Sequence, residues 1–327
     1  MKVLIRTDAS IEIGSGHVMR CLTIADALRE CGCSVLFMME ELLGNLIGLV
    51  QSKGFEVVHE FQAADLCIVD HYGIDEQWEQ SIRPFVNKIV VIDDLANRRH
   101  DCDLLLDQNF VPDFNTRYDA LVPDHCVRLL GPTYLIMRDE FVQQREQVHE
   151  RSGHVERLLI FMGGTDPTNE TMKVLQALQI VNMEFLHVDV VVGGGNPSRV
   201  EIEDICAYEG YHFHCQIDYM ASLMAQADFA IGAGGSATWE RCYVGLPSSS
   251  TIVAENQIIT TEKAASLKAV WNIGWHEEVT IATYKRLLSD LVGRQKELYV
   301  LSENGLKLTE SPYGPNPWLE KIMELIE

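Results

Sequence analysis

Gly14-Ser15-Gly16-His17-Val18-Met19-Arg20-Cys21-Leu22-Thr23 decides how the first half of the chain folds. Val3 to Thr7, just before it, reads as a strand, and from Val18 onward the apolar residues fall at 18, 21, 22, 25 and 28, the spacing of one helix face. The two glycines therefore mark a strand-to-helix junction. Such a junction lets backbone approach a ligand closely and aims the free N–H groups of the first helical turn at negative charge or a polarised oxygen. His17 stands in that field, where a positive helix end favours the neutral imidazole, the form able to accept a proton. That is a general-base arrangement. The same residues also make a plain turn and a helix cap, so the rest of the chain has to decide between the two.

Working outward, the first half alternates expected strands at 3–7, 34–39, 55–58, 66–70 and 88–92 with helices at 17–31, 41–53 and 75–83. A polar stretch from Arg138 to Glu156 follows. A second series then runs strand 157–162, helix 168–181, strand 187–192, helix 198–208, strand 211–214, helix 218–226, strand 228–231, helix 236–244, strand 247–251 and helix 256–270. Apolar runs alternating with helical patterns are the signature of parallel sheets covered by helices on both faces. The expected fold class is α/β, with two Rossmann-like, doubly wound parallel-sheet domains facing a cleft. They are an N-terminal domain over 1–150 and a C-terminal domain over 151–311. A final helix, 312–327, carries Trp318, Leu319, Ile322, Met323, Leu325 and Ile326 and is expected to cross back onto the first domain.

The chain has 327 residues, 47% of them hydrophobic, enough for two separate cores. Its 26 Lys and Arg against 48 Asp and Glu give a net charge of −22, which argues against nucleic acid and anionic membrane surfaces as partners. Asp8 arrives too early for a signal peptide and no run of 18 apolar residues exists, so a cytoplasmic location is expected. The nine cysteines are odd in number and mostly flanked by apolar residues, as reduced core thiols are. Cys31-Gly32-Cys33 lacks a second pair at zinc spacing, so no metal is expected there. His212-Phe213-His214 alternates as a strand would and reads as packing or surface histidines.

In open α/β sheets ligands collect at the carboxyl ends of strands. There the first domain offers Asp8, then Asp70-His71-Tyr72-Gly73, then Asp93-Asp94. An aspartate in that place also starts turns and caps helices. His71 and Tyr72 suit a sugar, Asp93 and Asp94 suit hydroxyls or a base to be oriented, and Asp8 is a candidate to orient His17. The second domain repeats the strand–glycine–helix theme in Phe161-Met162-Gly163-Gly164-Thr165-Asp166-Pro167 and in Ile231-Gly232-Ala233-Gly234-Gly235-Ser236-Ala237-Thr238-Trp239-Glu240. Both read as anion cradles, with Glu240 placed to take the two hydroxyls of a ribose, or else as plain turns and a solvated glutamate. Gly193-Gly194-Gly195-Asn196-Pro197 is a third glycine loop, and Glu255-Asn256-Gln257 opens a helix near the same rim.

With these pieces in place the chain resembles the family of UDP-2,4-diacetamido-2,4,6-trideoxy-β-L-altropyranose hydrolases, which act toward pseudaminic acid. The carriers are Arg6-Thr7-Asp8 with Ile13-Gly14-Ser15-Gly16-His17; Val69-Asp70-His71-Tyr72-Gly73; Ile92-Asp93-Asp94; Cys102-Asp103-Leu104-Leu105-Leu106; Gly131-Pro132-Thr133-Tyr134 with Met137-Arg138-Asp139-Glu140-Phe141; and Met162-Gly163-Gly164-Thr165-Asp166. The resemblance spans nearly the whole length and implies a GT-B-like relative of two-Rossmann-domain glycosyltransferases, with water as acceptor. It implies that His17 is the catalytic base. It places UDP on Gly163, Gly164, Thr165, Asp166, Gly235, Ser236 and Glu240, with Asn256 near the sugar or diphosphate, and it calls for no cofactor and no metal. Water deprotonated by His17 would attack the anomeric carbon while helix N-termini stabilise the departing UDP. The rival readings are a UDP-sugar glycosyltransferase, a hydrolysing UDP-sugar 2-epimerase, and a nucleotide-sugar-binding module without catalysis.

Overall fold

A computed structural model of the protein describes residues 1–148, 151–181, 183 and 186–326. Residues 149, 150 and 327, which belong to the expected connecting stretch and final helix, lie outside the described residues. The chain divides into two compact units, Met1–Met137 with Ser311–Glu327, and Arg138–Glu310.

The first unit runs β1 (Lys2–Thr7), α1 (Gly16–Glu30), β2 (Ser34–Met38), α2 (Ile47–Ser52), β3 (Glu56–Val58), β4 (Ala64–Asp70), α3 (Glu76–Ile82), β5 (Val86–Ile92), β6 (Leu104–Asp107) and β7 (Val127–Leu130). Every neighbouring pair is parallel and the strand order is β3-β2-β1-β4-β5-β6-β7. Central strands of such a sheet are covered on both faces, which is why Val3, Leu4 and Ile5 or Leu104, Leu105 and Leu106 are apolar without alternation and buried. β6 and β7 were not expected. Each has four residues, too short to stand out from the loops around it, and only pairing with β5 and with each other makes them strands.

The second unit runs α4 (Asp139–Arg145), β8 (Arg157–Phe161), α5 (Glu170–Val181), β9 (His187–Val192), α6 (Arg199–Glu209), β10 (His212–Cys215), α7 (Met220–Gln226), β11 (Phe229–Ala233), α8 (Ser236–Tyr243), β12 (Ser248–Ile252), α9 (Ile258–Ser266), β13 (Trp271–Trp275), α10 (Ile281–Leu291) and α11 (Gln295–Leu308). Its six strands are parallel in the order β10-β9-β8-β11-β12-β13. Strand β13 and helices α10 and α11 extend the expected series, and α4 forms inside the polar stretch that was expected to connect the domains.

α12 (Trp318–Ile326) packs Trp318 and Ile322 into the core of the first unit beside Val90, Leu104 and Leu106. The helix is amphipathic, and the stripe it buries is the one read from the sequence. The first unit's leading segment ends at Met137, ahead of the expected boundary near 151, because Arg138 to Glu310 pack among themselves.

Candidate active site

A doubly wound sheet reverses its strand order at one point, where the loops after two adjacent strands diverge to opposite faces and leave room for a ligand. In the first unit that point lies between β1 and β4, and the ladder sets Thr7 opposite Asp70. The chain leaving β1 turns through Gly14, whose φ of +80° suits glycine, and starts α1 at Gly16. Ser15 occupies the N-cap without a side-chain cap bond. His17, one residue into the helix, is thereby set over the end of β4.

His17 Nδ1 lies 2.6 Å from Asp70 Oδ1. Asp70 is fully buried and also accepts from Arg20, Nε to Oδ2 at 2.8 Å and Nη2 to Oδ1 at 2.7 Å. Burial works against ionisation of Asp70, but the Arg20 charge and the hydrogen bonds from His17 and Arg20 outweigh it and hold the carboxyl well below the usual carboxylate range. An ionised carboxylate only accepts, so the ring proton sits on Nδ1, and Nε2 is the nitrogen left to take a proton. None of the described residues hydrogen-bonds Nε2. The Tyr72 ring meets the imidazole edge-on at 4.5 Å, and the Tyr72 hydroxyl donates to Asp94 Oδ1 at 2.8 Å. Asp94 Oδ2 stands 3.9 Å from Arg20 Nη1, so His17, Arg20, Asp70, Tyr72 and Asp94 form one network.

Asp8 is not the carboxylate that orients His17. Its Oδ2 pairs with Arg6 at 2.8 Å and with His71 Nε2 at 3.2 Å, and its Oδ1 accepts the Glu40 N–H at 2.8 Å. Burial raises this carboxyl, yet the bonds from His71, Arg6 and Glu40 bring it down to about 2. His71 Nδ1 accepts the Gly73 N–H at 2.9 Å, which leaves its proton on Nε2 for Asp8. The sequence placed Asp8 and Asp70 equally at strand ends; only the β1–β4 pairing puts the second of them under the helix. Asp93 is likewise engaged away from His17: it accepts from Arg98 at 2.7 Å, the Ala96 N–H at 2.9 Å and the Tyr118 hydroxyl at 2.9 Å.

Sequence reasoning missed Arg20 and Asp107. Arg20 lies three residues after His17 on the same helix face, a spacing that was there to read. Asp107 ends β6, buried beside Tyr118 and Arg117. Burial pushes its carboxyl up to about 7; the Asn109 N–H and Arg117 oppose the rise, and Asp94 and Asp93 add to it.

The second sheet reverses between β8 and β11, where Gly232 pairs with Phe161. Gly163, Gly164, Thr165 and Asp166 follow β8, and Gly235 and Ser236 follow β11 into α8. Gly163 and Gly235 have φ of +89° and +87°. The third glycine loop packs on the first: the Gly193 N–H donates to Gly164 O at 3.0 Å, and a Cβ at Gly193 would fall 2.3 Å from that oxygen. The Asp166 carboxylate accepts the N–H groups of Glu170 and Thr171, both at 2.9 Å, so it caps α5. Glu240 accepts from Arg138 at 2.9 Å, and Arg138 also pairs with Glu140 at 2.6 Å. Asn256 lies in the short 3-10 turn Glu255–Gln257 just past β12, on the same rim as Gly235. Trp239, whose role the sequence left open, is buried at 2% exposure.

Among the described residues no cluster of three His, Cys, Asp or Glu is arranged to hold a metal ion, and no helix is long and apolar enough to cross a membrane.

Two parallel α/β units with chemistry-bearing loops at both switch points define the GT-B class, and comparison with solved structures gives the same fold. The chain is similar to Acinetobacter baumannii MurG at 13% identity, a TM-score of 0.62 and 99% coverage of each chain. It is similar to the rhamnosyltransferase SpnG complexed with thymidine diphosphate at 14% identity, a TM-score of 0.63 and coverage of 99% and 100%. It is also similar to S. aureus MnaA with UDP, at 10% identity, a TM-score of 0.62 and coverage of 98% and 94%.

Whole-sequence comparison narrows the class. A UDP-2,4-diacetamido-2,4,6-trideoxy-β-L-altropyranose hydrolase of Campylobacter jejuni is 29% identical over 62% of this chain and 73% of its own length. The spore coat polysaccharide biosynthesis protein SpsG of Bacillus subtilis is 26% identical over 88% and 89%. An uncharacterized protein of Methanocaldococcus jannaschii is 27% identical over 76% of this chain, which spans only 54% of that relative's length. No protein-family model matches the chain. The chain is thus a relative of the hydrolase family that its motifs resemble.

Proposed function

We propose that the protein hydrolyses a UDP-linked 2,4-diacetamido-2,4,6-trideoxy sugar to free sugar and UDP, in the cytoplasm and on the way to pseudaminic acid. The observation that carries this reading is the 2.6 Å contact of His17 Nδ1 with an ionised, fully buried Asp70, which leaves Nε2 as a base. Nε2 takes a proton from water as the water oxygen bonds to the anomeric carbon. The bond from that carbon to the β-phosphate oxygen breaks, and its electron pair leaves with UDP. Asp70 fixes the tautomer and stabilises the imidazolium that forms. Tyr72, His71 and Asp94 meet the sugar. Gly163, Gly164 and Thr165, with the uncapped α8 N-terminus at Gly235 and Ser236, take the diphosphate on backbone N–H groups, and Glu240 takes the ribose. Asp166 contributes by holding α5 rather than by touching the nucleotide.

The test is UDP release coupled to NMR of the sugar product from UDP-2,4-diacetamido-2,4,6-trideoxy-β-L-altrose, without acceptor, for the wild type and His17→Ala. Free sugar from the wild type and a loss of roughly 10² to 10⁴ in the variant, with UDP binding kept, is the expected result. A wild type inert with water and active only with an organic acceptor would assign the protein to the transferases instead.

A further inference from the structure

Arg241 is 1% exposed, and no carboxylate lies within ion-pair distance of it among the described residues. Its Nη2 donates to Ala233 O at 3.0 Å, Thr238 Oγ1 at 3.1 Å and Ser250 Oγ at 2.8 Å. Nε and Nη1 have no hydrogen-bond partner among the described residues. Nη1 lies so close to β11 that a Cβ at Gly232 would fall 2.5 Å from it. The guanidinium therefore sits at the carboxyl ends of β11 and β12, bonded to the residue that leads into the turn Gly234-Gly235-Ser236. Its sequence neighbour Glu240 is engaged by Arg138.

A buried charge without a partner is costly and is ordinarily paired or replaced. Here the surroundings avoid pairing it. The strand alongside, Ser248-Ser249-Ser250-Thr251, is fully buried yet built of small hydroxyl residues, which accept hydrogen bonds without cancelling charge. Burial pulls the guanidinium down to about 10, so it remains a cation at neutral pH. The protein as a whole carries −22, a field that disfavours an anionic ligand.

We propose that Arg241 is the buried counter-charge of the diphosphate: it fixes the β11–α8 turn through Ala233 O and lends that turn a positive charge that no ion pair among the described residues neutralises. It is a positioning residue and touches no ligand atom. The inference rests on the reading that UDP docks on this turn. A unit charge acting on another across about 10 Å at an effective dielectric of about 20 changes a binding constant roughly tenfold, and a diphosphate carries more than one charge.

The experiment is calorimetric titration of UDP and, separately, of uridine into the wild type, Arg241→Gln and Arg241→Lys. Gln loses the charge and, ending where Nε stands, also the Nη2 donor to Ala233 O, a change the uridine titration controls for; Lys keeps the charge. UDP binding should weaken about tenfold or more in Arg241→Gln while uridine stays within about twofold, and Arg241→Lys should hold UDP within about threefold of the wild type. Equal weakening of UDP and uridine would make the residue structural, and unchanged UDP binding by Arg241→Gln, or Lys as weak as Gln, would likewise overturn the proposal. Should Arg241→Gln not fold, Arg241→Lys still decides, since loss of UDP with uridine retained contradicts a role for charge. A wild type that binds no UDP overturns the nucleotide reading itself; a wild type that binds it and a Gln variant that binds it equally well overturn only the role of Arg241.

Discussion

Replacing Asp70 by Asn alters the centre of the His17 network while preserving shape. The amide offers one acceptor oxygen where the carboxylate accepts from His17 Nδ1 at 2.6 Å and from Arg20 at 2.7 and 2.8 Å, and its NH2 must face one of those donors. If the amide donates to His17 Nδ1, the ring proton moves to Nε2 and the base is lost, so turnover should fall by roughly 10² to 10⁴. Stability falls as well, because Arg20 loses its paired carboxylate and keeps only Asp94, 3.9 Å away, a change on the order of 3 kcal/mol. Its pH dependence has a definite sign. The folded carboxyl lies below its ordinary value of 3.8, so the contribution is fully present above that value and fades as pH falls below it. The melting-temperature gap between wild type and Asp70→Asn should be constant from about pH 6 to 8 and close below about pH 4. The assay is UDP release at saturating UDP-sugar with thermal melts on the same samples and UDP titration as the control for folding. A folded Asp70→Asn variant that turns over within about threefold of the wild type would refute the assignment of His17 as a base held by Asp70.

Asp107→Asn tests the carboxyl raised to about 7: the wild type should lose stability as pH rises from 3.8 toward 7, and the melting temperature of the variant relative to it should climb between pH 5 and 8. A flat difference across that range would remove Asp107 from the titrating groups. Gly193→Ala places a Cβ 2.3 Å from Gly164 O, so the two glycine loops must part; a cost of about 1–3 kcal/mol and weaker UDP binding are expected in melts and titrations. Trp318→Ala empties a fully buried site in the first unit's core and should lower stability by about 3–5 kcal/mol in denaturant melts, whereas an unchanged midpoint would mean that α12 does not support that core.

Much of the architecture was legible because parallel strands buried on both faces are apolar throughout, as at Val3 to Ile5 and Val190 to Val192, and because helices betray themselves by periodicity, as at α1 and α12. β6 and β7 were not legible: four-residue runs carry no period, and their strand character comes from neighbours distant in the sequence. The glycine turns at 14, 163 and 235 were readable for the same local reason, since a positive φ leaves its mark on residue type.

The sequence by itself also determined the inventory of chemistry, a histidine at a helix start and acids at the ends of strands. It singled out Asp8 to orient His17 with nothing to rank it above Asp70, Asp93 or Asp94, since all stand at the ends of apolar runs. The tertiary structure alone separated them. Parallel pairing of Thr7 with Asp70 set one carboxylate under His17, while Arg6 and His71 engaged Asp8 and Arg98 and Tyr118 engaged Asp93. It also decided that Arg241 has no ion-pair partner among the described residues, which depends on what β12 brings beside it. Local propensity is written in residues a few positions apart; which polar groups meet depends on strand order, and strand order is set by how the whole sheet buries its faces.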